Sequence, residues 1–127
     1  MLIFDIVQNG AHQSLKIKQK LEAQQMGEYF GYTIITEDFD ADGFTDIAVG
    51  APFNSFDQFY DNGAVYIYKN QNGVFKLDYA LKTEYQLSGR FGTTLSKIGD
   101  INNDGYKGMN SFVSLLQFFF FFSIRKI

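Results

Sequence analysis

The chain's clearest chemical feature is an acidic segment of nine residues, 38–46, which reads Asp-Phe-Asp-Ala-Asp-Gly-Phe-Thr-Asp. Ca²⁺ takes six to eight oxygen ligands, and alternating aspartates in a tight loop can supply several of them. Gly43, at position 6, permits the positive φ of a sharp turn because it has no Cβ. The spacing therefore predicts a calcium loop, with ligands from the side chains of Asp38, Asp40, Asp42 and Asp46 and the carbonyl of Phe44.

Three other interpretations of this segment are weaker. A solvated Asp/Gly turn would leave its carboxylates repelling one another unless a cation offset them. An EF-hand needs a bidentate Glu at position 12, where this chain has Val49, and its flanks should be helical. Acid/base catalysis lacks a nucleophile–base pair, since His12 is the only histidine and lies among polar residues.

Composition excludes several function classes. The chain has 127 residues, enough for one domain of ordinary size, and a net charge of −3 without a Lys/Arg cluster, which speaks against nucleic-acid binding. It has no cysteine, and therefore no disulfide or thiolate chemistry. No secretory signal is visible at the N-terminus. The apolar run at 112–124 is shorter than the roughly 18–20 residues that a membrane span needs.

Alternating and β-branched runs separated by turns predict an antiparallel all-β fold without a convincing helix. The predicted strands are residues 2–7, 14–23, 29–36, 47–50, 65–68 and 75–81. Polar connections are predicted at 24–28 and 54–63.

The sequence also repeats itself with a period of about 60 residues. Phe30-Gly31-Tyr32-Thr33 recurs as Phe91-Gly92-Thr93-Thr94, and residues 38–43 recur as residues 100–105. Four strands in each repeat predict propeller blades. A single blade cannot bury both its faces, so it needs neighbours.

These residues together resemble the FG-GAP repeat of the integrin α-subunit β-propeller. The resemblance rests on Phe30-Gly31, the acidic loop, Val-Gly-Ala-Pro at 49–52 and Gly-Ala-Val-Tyr-Ile-Tyr at 63–68, and it covers residues 1–107. It implies a partial β-propeller of about one and two-thirds four-stranded blades. The expected units are the end of a preceding blade at 1–28, a complete repeat at 29–88, the start of the next repeat at 89–108 and a Phe-rich tail at 109–127.

The resemblance implies a part of a cell-adhesion receptor and not an enzyme. An integrin α-subunit pairs with a β-subunit, binds extracellular matrix or cell-surface protein ligands, and faces outward at the plasma membrane. Its calcium loops stiffen the blade face away from the ligand. Two alternatives are the FG-GAP propeller of a secreted enzyme of the phospholipase type and a truncated, non-functional gene product.

The second acidic loop departs from the family pattern. Asp100, Asn102 and Asp104 match positions 1, 3 and 5, and Tyr106 offers its carbonyl at position 7. Position 9 is Gly108, where the family has Asp, so we expect this loop to bind Ca²⁺ more weakly.

The residues after this loop are expected to leave the repeat. Residues 109–112 have no Gly-Ala-Pro counterpart, so no strand equivalent to 47–52 is expected, and Phe118–Phe122 is an unbroken run of phenylalanine. The hypothesis is a truncated gene model, or an alternative end that reads through an exon boundary.

Overall fold

The computed structural model describes residues 1–56, 60–82, 89–113 and 118–123, and these form β-strands and no helix. Consequently, no described helix could cross a membrane. The strands are β1 (Leu2–Asn9), β2 (His12–Lys20), β3 (Thr33–Glu37), β4 (Asp46–Ala51), β5 (Ala64–Gln71), β6 (Val74–Lys82), β7 (Thr94–Gly99), β8 (Gly108–Val113) and β9 (Phe118–Ser123). Parts of the predicted connection (57–59), repeat (83–88) and tail (114–117 and 124–127) lie outside the described residues.

The strands form three antiparallel sheets in chain order. The first sheet is β1-β2, the second is β3-β4-β5-β6, and the third is β7-β8-β9. In the second sheet each strand pairs with the next, so every connection is a hairpin. The β3–β4 ladder runs from Thr33↔Gly50 to Glu37↔Asp46, so the first acidic loop is the turn that closes this hairpin.

Alternate residues of the inner strands of the second sheet point to its opposite faces, and a cluster of apolar side chains covers each face. On one face, Tyr66 and Tyr68 share an apolar cluster with Leu21 and Ile3 of the preceding part of the chain. On the other face, Val65 and Ile67 cluster with Phe91, Leu95 and Met109 of the following part of the chain. The acidic loop therefore connects two strands of a sheet that packs against an apolar core on each face.

Two glycines allow the second and third sheets to approach closely. A Cβ at Gly50 would lie 2.1 Å from the carbonyl oxygen of Gly92, and one at Gly63 would lie 2.1 Å from that of Phe91. The approach is fixed by hydrogen bonds: the Phe91 amide donates to the Asn62 carbonyl at 2.8 Å, and the Thr33 hydroxyl donates to the Gly92 carbonyl at 2.7 Å. The Phe-Gly pair of one repeat is thus the joint to the repeat before it.

The limits of all six predicted strands differ from the structure by one or more residues, and the differences are largest for two strands. The strand predicted at 29–36 begins only at Thr33, because Tyr29 (φ +57°) and Gly31 (φ +93°) place the chain in a turn. The strand predicted at 14–23 ends at Lys20.

The prediction that no strand follows the second acidic loop is wrong. Gly108–Val113 forms β8, which pairs with β7 on one side and with β9 on the other. A ladder needs backbone groups in register and an apolar residue at the inward positions, and it does not need a Gly-Ala-Pro sequence. Met109 meets this requirement, since it is fully buried in the core against the second sheet.

Candidate metal centre

The first acidic loop folds around its own aspartates. Asp38 accepts hydrogen bonds from the amides of Asp42 (3.2 Å) and Gly43 (3.0 Å), and Asp42 accepts one from the amide of Phe44 (2.8 Å). Ala41 and Gly43 both have positive φ, +57° and +88°, which turns successive amides toward the Asp38 carboxylate. The loop is therefore shaped by two of the predicted ligands.

The structure brings together three of the predicted ligand side chains. One carboxylate oxygen from each of Asp38, Asp40 and Asp42 lies within 4.8 Å of the other two. Three negative charges at this spacing repel one another unless a cation offsets them. All three candidate ligands are carboxylate oxygens, and Ca²⁺ is a hard cation that prefers oxygen ligands.

Asp40 is the buried member of this cluster. Its side chain is 4% exposed, and its Oδ1 has no hydrogen-bond partner among the described residues. A buried carboxylate oxygen without a partner carries an uncompensated desolvation cost. A divalent cation would supply the partner that Asp40 Oδ1 lacks and would also contact the carboxylates of Asp38 and Asp42. These residues therefore fit Ca²⁺.

Lys69 of β5 contacts the other oxygen of Asp40. Its ammonium lies 3.2 Å from Asp40 Oδ2 and 3.2 Å from Asp78 Oδ2, and its side chain is 20% exposed. Burial of Lys69 disfavours its charge, but the two carboxylates outweigh burial and raise the pKa of the ammonium above its ordinary value.

Asp46 has a different environment from the other three aspartates. It is fully buried, and its carboxylate accepts hydrogen bonds from the amides of Phe39 (3.3 Å) and Asn70 (2.9 Å). Burial raises the pKa of Asp46, although these two hydrogen bonds oppose the shift. Among the described residues, Asp46 is not part of the cluster formed by Asp38, Asp40 and Asp42. Its hydrogen bond from the Asn70 amide instead connects the loop to the β5–β6 hairpin. Its role as a ligand, like that of the Phe44 carbonyl, stays a prediction.

The second acidic loop has the same backbone design. Asp100 accepts hydrogen bonds from the amides of Asp104 (3.0 Å) and Gly105 (2.8 Å), and Asp104 accepts one from the amide of Tyr106 (3.0 Å). Asn103 and Gly105, the fourth and sixth residues, have φ of +53° and +87°, close to the values in the first loop.

The two loops differ in charge. At position 3 of the second loop, Asn102 replaces a carboxylate and donates its amide to Asp104 Oδ2 at 2.9 Å. At position 9, Gly108 has no side chain to accept the backbone hydrogen bonds that Asp46 accepts in the first loop. The second loop therefore presents two carboxylates where the first presents four.

An ion pair connects the two loops. Lys107 Nζ, at position 8 of the second loop, donates to Glu37 Oε1 at 2.9 Å, and the Asp38 amide donates to the same oxygen at 3.2 Å. The hydrogen bond from Lys107 holds the pKa of Glu37 below its ordinary value. Both loops thus lie at the same edge of the stacked sheets.

A third buried carboxylate lies away from the loops. Glu28 is 1% exposed and accepts hydrogen bonds from the Tyr66 hydroxyl at 2.7 Å, from the Asn54 amide and from the Gln24 backbone amide. Burial and this carboxylate raise the pKa of Tyr66 far above its ordinary range. Sequence reasoning placed Glu28 in a polar loop, because nothing local shows that it meets Tyr66.

Comparisons with known proteins point to one family. Residues 30–68 match the family model of the FG-GAP repeat. The chain is 41% identical over 111 residues to integrin alpha-PS5 of Drosophila melanogaster, an alignment that covers 84% of this chain and 10% of that protein. It is 40% identical over 105 residues to integrin alpha-PS3 of Drosophila melanogaster, with 82% of this chain and 9% of that protein covered.

A vertebrate integrin α chain is also similar over most of this chain. Integrin alpha-8 of Homo sapiens is 36% identical over 92 residues, covering 69% of this chain and 9% of that protein. The chain therefore spans about a tenth of the length of the relatives it matches. The antiparallel four-stranded sheet, the FG-GAP match and these alignments identify the chain as an incomplete, integrin α-like β-propeller segment built from FG-GAP repeats.

Proposed function

We propose that this chain is a calcium-stabilised part of an integrin-like α-subunit propeller. The observation that carries the calcium assignment is Asp40 Oδ1, a buried carboxylate oxygen without a described partner, beside Asp38 and Asp42. In this proposal the three side chains hold Ca²⁺, with the Asp46 carboxylate and the Phe44 carbonyl as further ligands. The ion would offset the repulsion among the carboxylates and stiffen the turn between β3 and β4.

The second loop is proposed as a weaker calcium site. Asp100, Asn102 and Asp104 would supply side-chain oxygens, and Tyr106 its carbonyl. The shared hydrogen-bond pattern supports binding, while the two missing carboxylates support a lower affinity.

At the level of the whole protein, we propose adhesion. The relatives are named as integrin α chains, which supports a heterodimer with an integrin β-subunit and an extracellular matrix or cell-surface protein as ligand. The same likeness supports a location on the outer side of the plasma membrane and a role that is not enzymatic. Co-immunoprecipitation of a full-length parent chain with an integrin β-subunit from a cell surface tests this; failure to pair would contradict it.

Calcium binding to the 127-residue chain tests the metal site directly. Isothermal titration with CaCl₂ should give two sites of different affinity. Asp42→Asn keeps the acceptor for the Phe44 amide but removes one charge, so it should weaken the tighter site by about tenfold or more.

Asp5→Asn is the matched control, because it removes one exposed carboxylate on β1, which pairs with Lys18 outside both loops. It should leave both affinities unchanged. Equal weakening by the two variants would mean that net charge, and not the loop, attracts the cation.

A further inference from the structure

Lys69 is the residue whose charge the calcium proposal leaves unexplained. A lysine ammonium beside a cation site opposes cation binding, yet Lys69 lies 3.2 Å from Asp40 Oδ2. Among the described ion pairs, it is the one that reaches an aspartate of the first loop. It lies on β5, directly after the Gly-Ala-Val-Tyr-Ile-Tyr segment at 63–68 and outside the acidic segment.

Burial makes this ion pair more than a surface contact. The side chains of Lys69 and Asp40 are 20% and 4% exposed, so water screens their interaction poorly. Asp78 on β6 contacts Lys69 from the other side, also at 3.2 Å, and holds the ammonium between two carboxylates. The position of the charge is therefore set by the second sheet and not by the loop.

The two oxygens of Asp40 have separate environments. Oδ2 pairs with Lys69, whereas Oδ1 is buried without a described partner. In the absence of metal, Lys69 offsets the charge of Asp40, the buried aspartate of the three-carboxylate cluster. With metal, the same charge repels the ion while Oδ1 stays available to it.

In the second loop, repulsion among carboxylates is reduced by a neutral side chain at position 3. At its third position the amide of Asn102 replaces a carboxylate and donates to Asp104 Oδ2. In this chain the acidic third position is accompanied by a lysine, and the neutral third position forms its own hydrogen bond. This contrast is consistent with Lys69 acting on the buried charge of Asp40.

We propose that Lys69 is an internal counter-ion that keeps the first loop folded without metal and lowers its affinity for divalent cations. The inference rests on the proposed calcium function. It assigns to Lys69 a positioning and affinity-setting role, and it makes the affinity of the loop depend on a residue of a neighbouring strand.

The test compares Lys69→Met with the wild-type 127-residue chain. Calcium affinity at the first loop, measured by isothermal titration, should rise about fivefold to tenfold, because a repelling charge is removed. The midpoint of urea unfolding in EDTA should fall, because Asp40 loses its counter-ion. A merely structural lysine would lower the midpoint without raising affinity.

Lys20→Met is the matched control. It removes the same charge from an exposed lysine of β2 that pairs with Glu22. It should change neither the calcium affinity nor the midpoint in EDTA.

A second variant keeps the inference testable if Lys69→Met does not fold. Asp78→Asn leaves Lys69 in place but removes its other carboxylate, which is 37% exposed, so calcium affinity should fall by a few-fold. A rise in affinity with Asp78→Asn would overturn the counter-ion role.

The outcomes separate the two proposals. Wild-type binding with no gain in Lys69→Met overturns the role of Lys69 and leaves the calcium site intact. Absence of calcium binding by both chains overturns the calcium function and the inference together.

Discussion

The four aspartates of the first loop look equivalent in sequence but have three different roles at the residue scale. Asp38 and Asp42 accept backbone amides and shape the turn. Asp40 is buried against Lys69. Asp46 accepts amides from Phe39 and from the next hairpin. Because these roles differ, substitutions with the same chemistry should differ in effect.

Asp46→Asn should destabilise the chain even without calcium. The substituted amide keeps the shape but turns an NH₂ group toward the amide of Phe39 or Asn70, leaving a buried donor unsatisfied. The expected loss is about 1–3 kcal/mol in the free energy of urea unfolding in EDTA. Asp42→Asn, at an exposed position, is the control and should cost much less. Equal losses would contradict the bracing role of Asp46.

Tyr79 should make stability depend on alkaline pH. Burial, followed by the charges of Asp78 and Asp46, raises its pKa from 10.0 to about 12. The unfolded chain therefore loses this proton first, so the contribution is complete below pH 10.0 and is lost as pH rises through about 12. Urea unfolding between these pH values should show a shallower decline for Tyr79→Phe than for wild type.

Tyr60→Phe is the control for this titration. Tyr60 is 79% exposed, so this variant controls for the removal of a tyrosine hydroxyl outside the core. An unchanged slope in Tyr79→Phe would show that Tyr79 does not contribute.

At the element scale, the contact between the second and third sheets requires glycine at position 50. Gly50 of β4 lies against the carbonyl of Gly92, and Thr33 donates to that same carbonyl. A methyl group at Gly50 would meet backbone, which cannot move aside as the end of a side chain can. The Phe-Gly and Gly-Ala-Pro segments are thus two halves of one contact.

Gly50→Ala should separate this joint. Its Cβ would lie 2.1 Å from the Gly92 oxygen and 2.3 Å from Thr33 Oγ1, so we expect a loss of at least about 3 kcal/mol in unfolding free energy. Gly10→Ala, where φ is +63° and nothing lies within 4 Å, should cost only about 1–2 kcal/mol of backbone strain. A Gly50→Ala cost no larger than that of Gly10→Ala would contradict close packing at the joint.

At the scale of the whole molecule, each sheet is a layer that relies on its neighbours. The second sheet is covered on both faces, whereas large apolar residues of the first sheet are exposed on the face away from it. In the β1–β2 ladder, Phe4 pairs with Ile17 and Ile6 pairs with Leu15, which places all four on that face. Exposed apolar faces are expected of repeat units that bury their cores between neighbours.

This outer face should bind a hydrophobic dye. Ile6 and Leu15 are 70% and 67% exposed, so the double variant Ile6→Thr/Leu15→Thr should reduce the fluorescence of bound anilinonaphthalene sulfonate at least about twofold. Val74→Thr, at a position of β6 that is 49% exposed, is the control and should leave the signal unchanged. An undiminished signal in the double variant would contradict an exposed apolar face.

Features that depend on local spacing could be predicted from the amino-acid sequence alone. Alternating and β-branched runs located strands β1 to β6, the 60-residue repeat predicted blades, and the spacing of aspartate and glycine located both acidic loops. These features follow from the period of a strand and from turn geometry, which act over a few residues. The strand β8 was missed because an apolar residue in register, and not the family motif, is what a ladder needs.

The pairing of charged side chains, by contrast, depends on the packing of the folded chain. Asp46 binds the Asn70 amide across 24 residues, Lys107 binds Glu37 across 70 residues, and Lys69 reaches Asp40 from a neighbouring strand. Such contacts depend on strand order and sheet stacking, which residue spacing along the chain does not specify. The first acidic loop can therefore be recognised from nine residues, whereas its charge balance depends on the sheets that surround it.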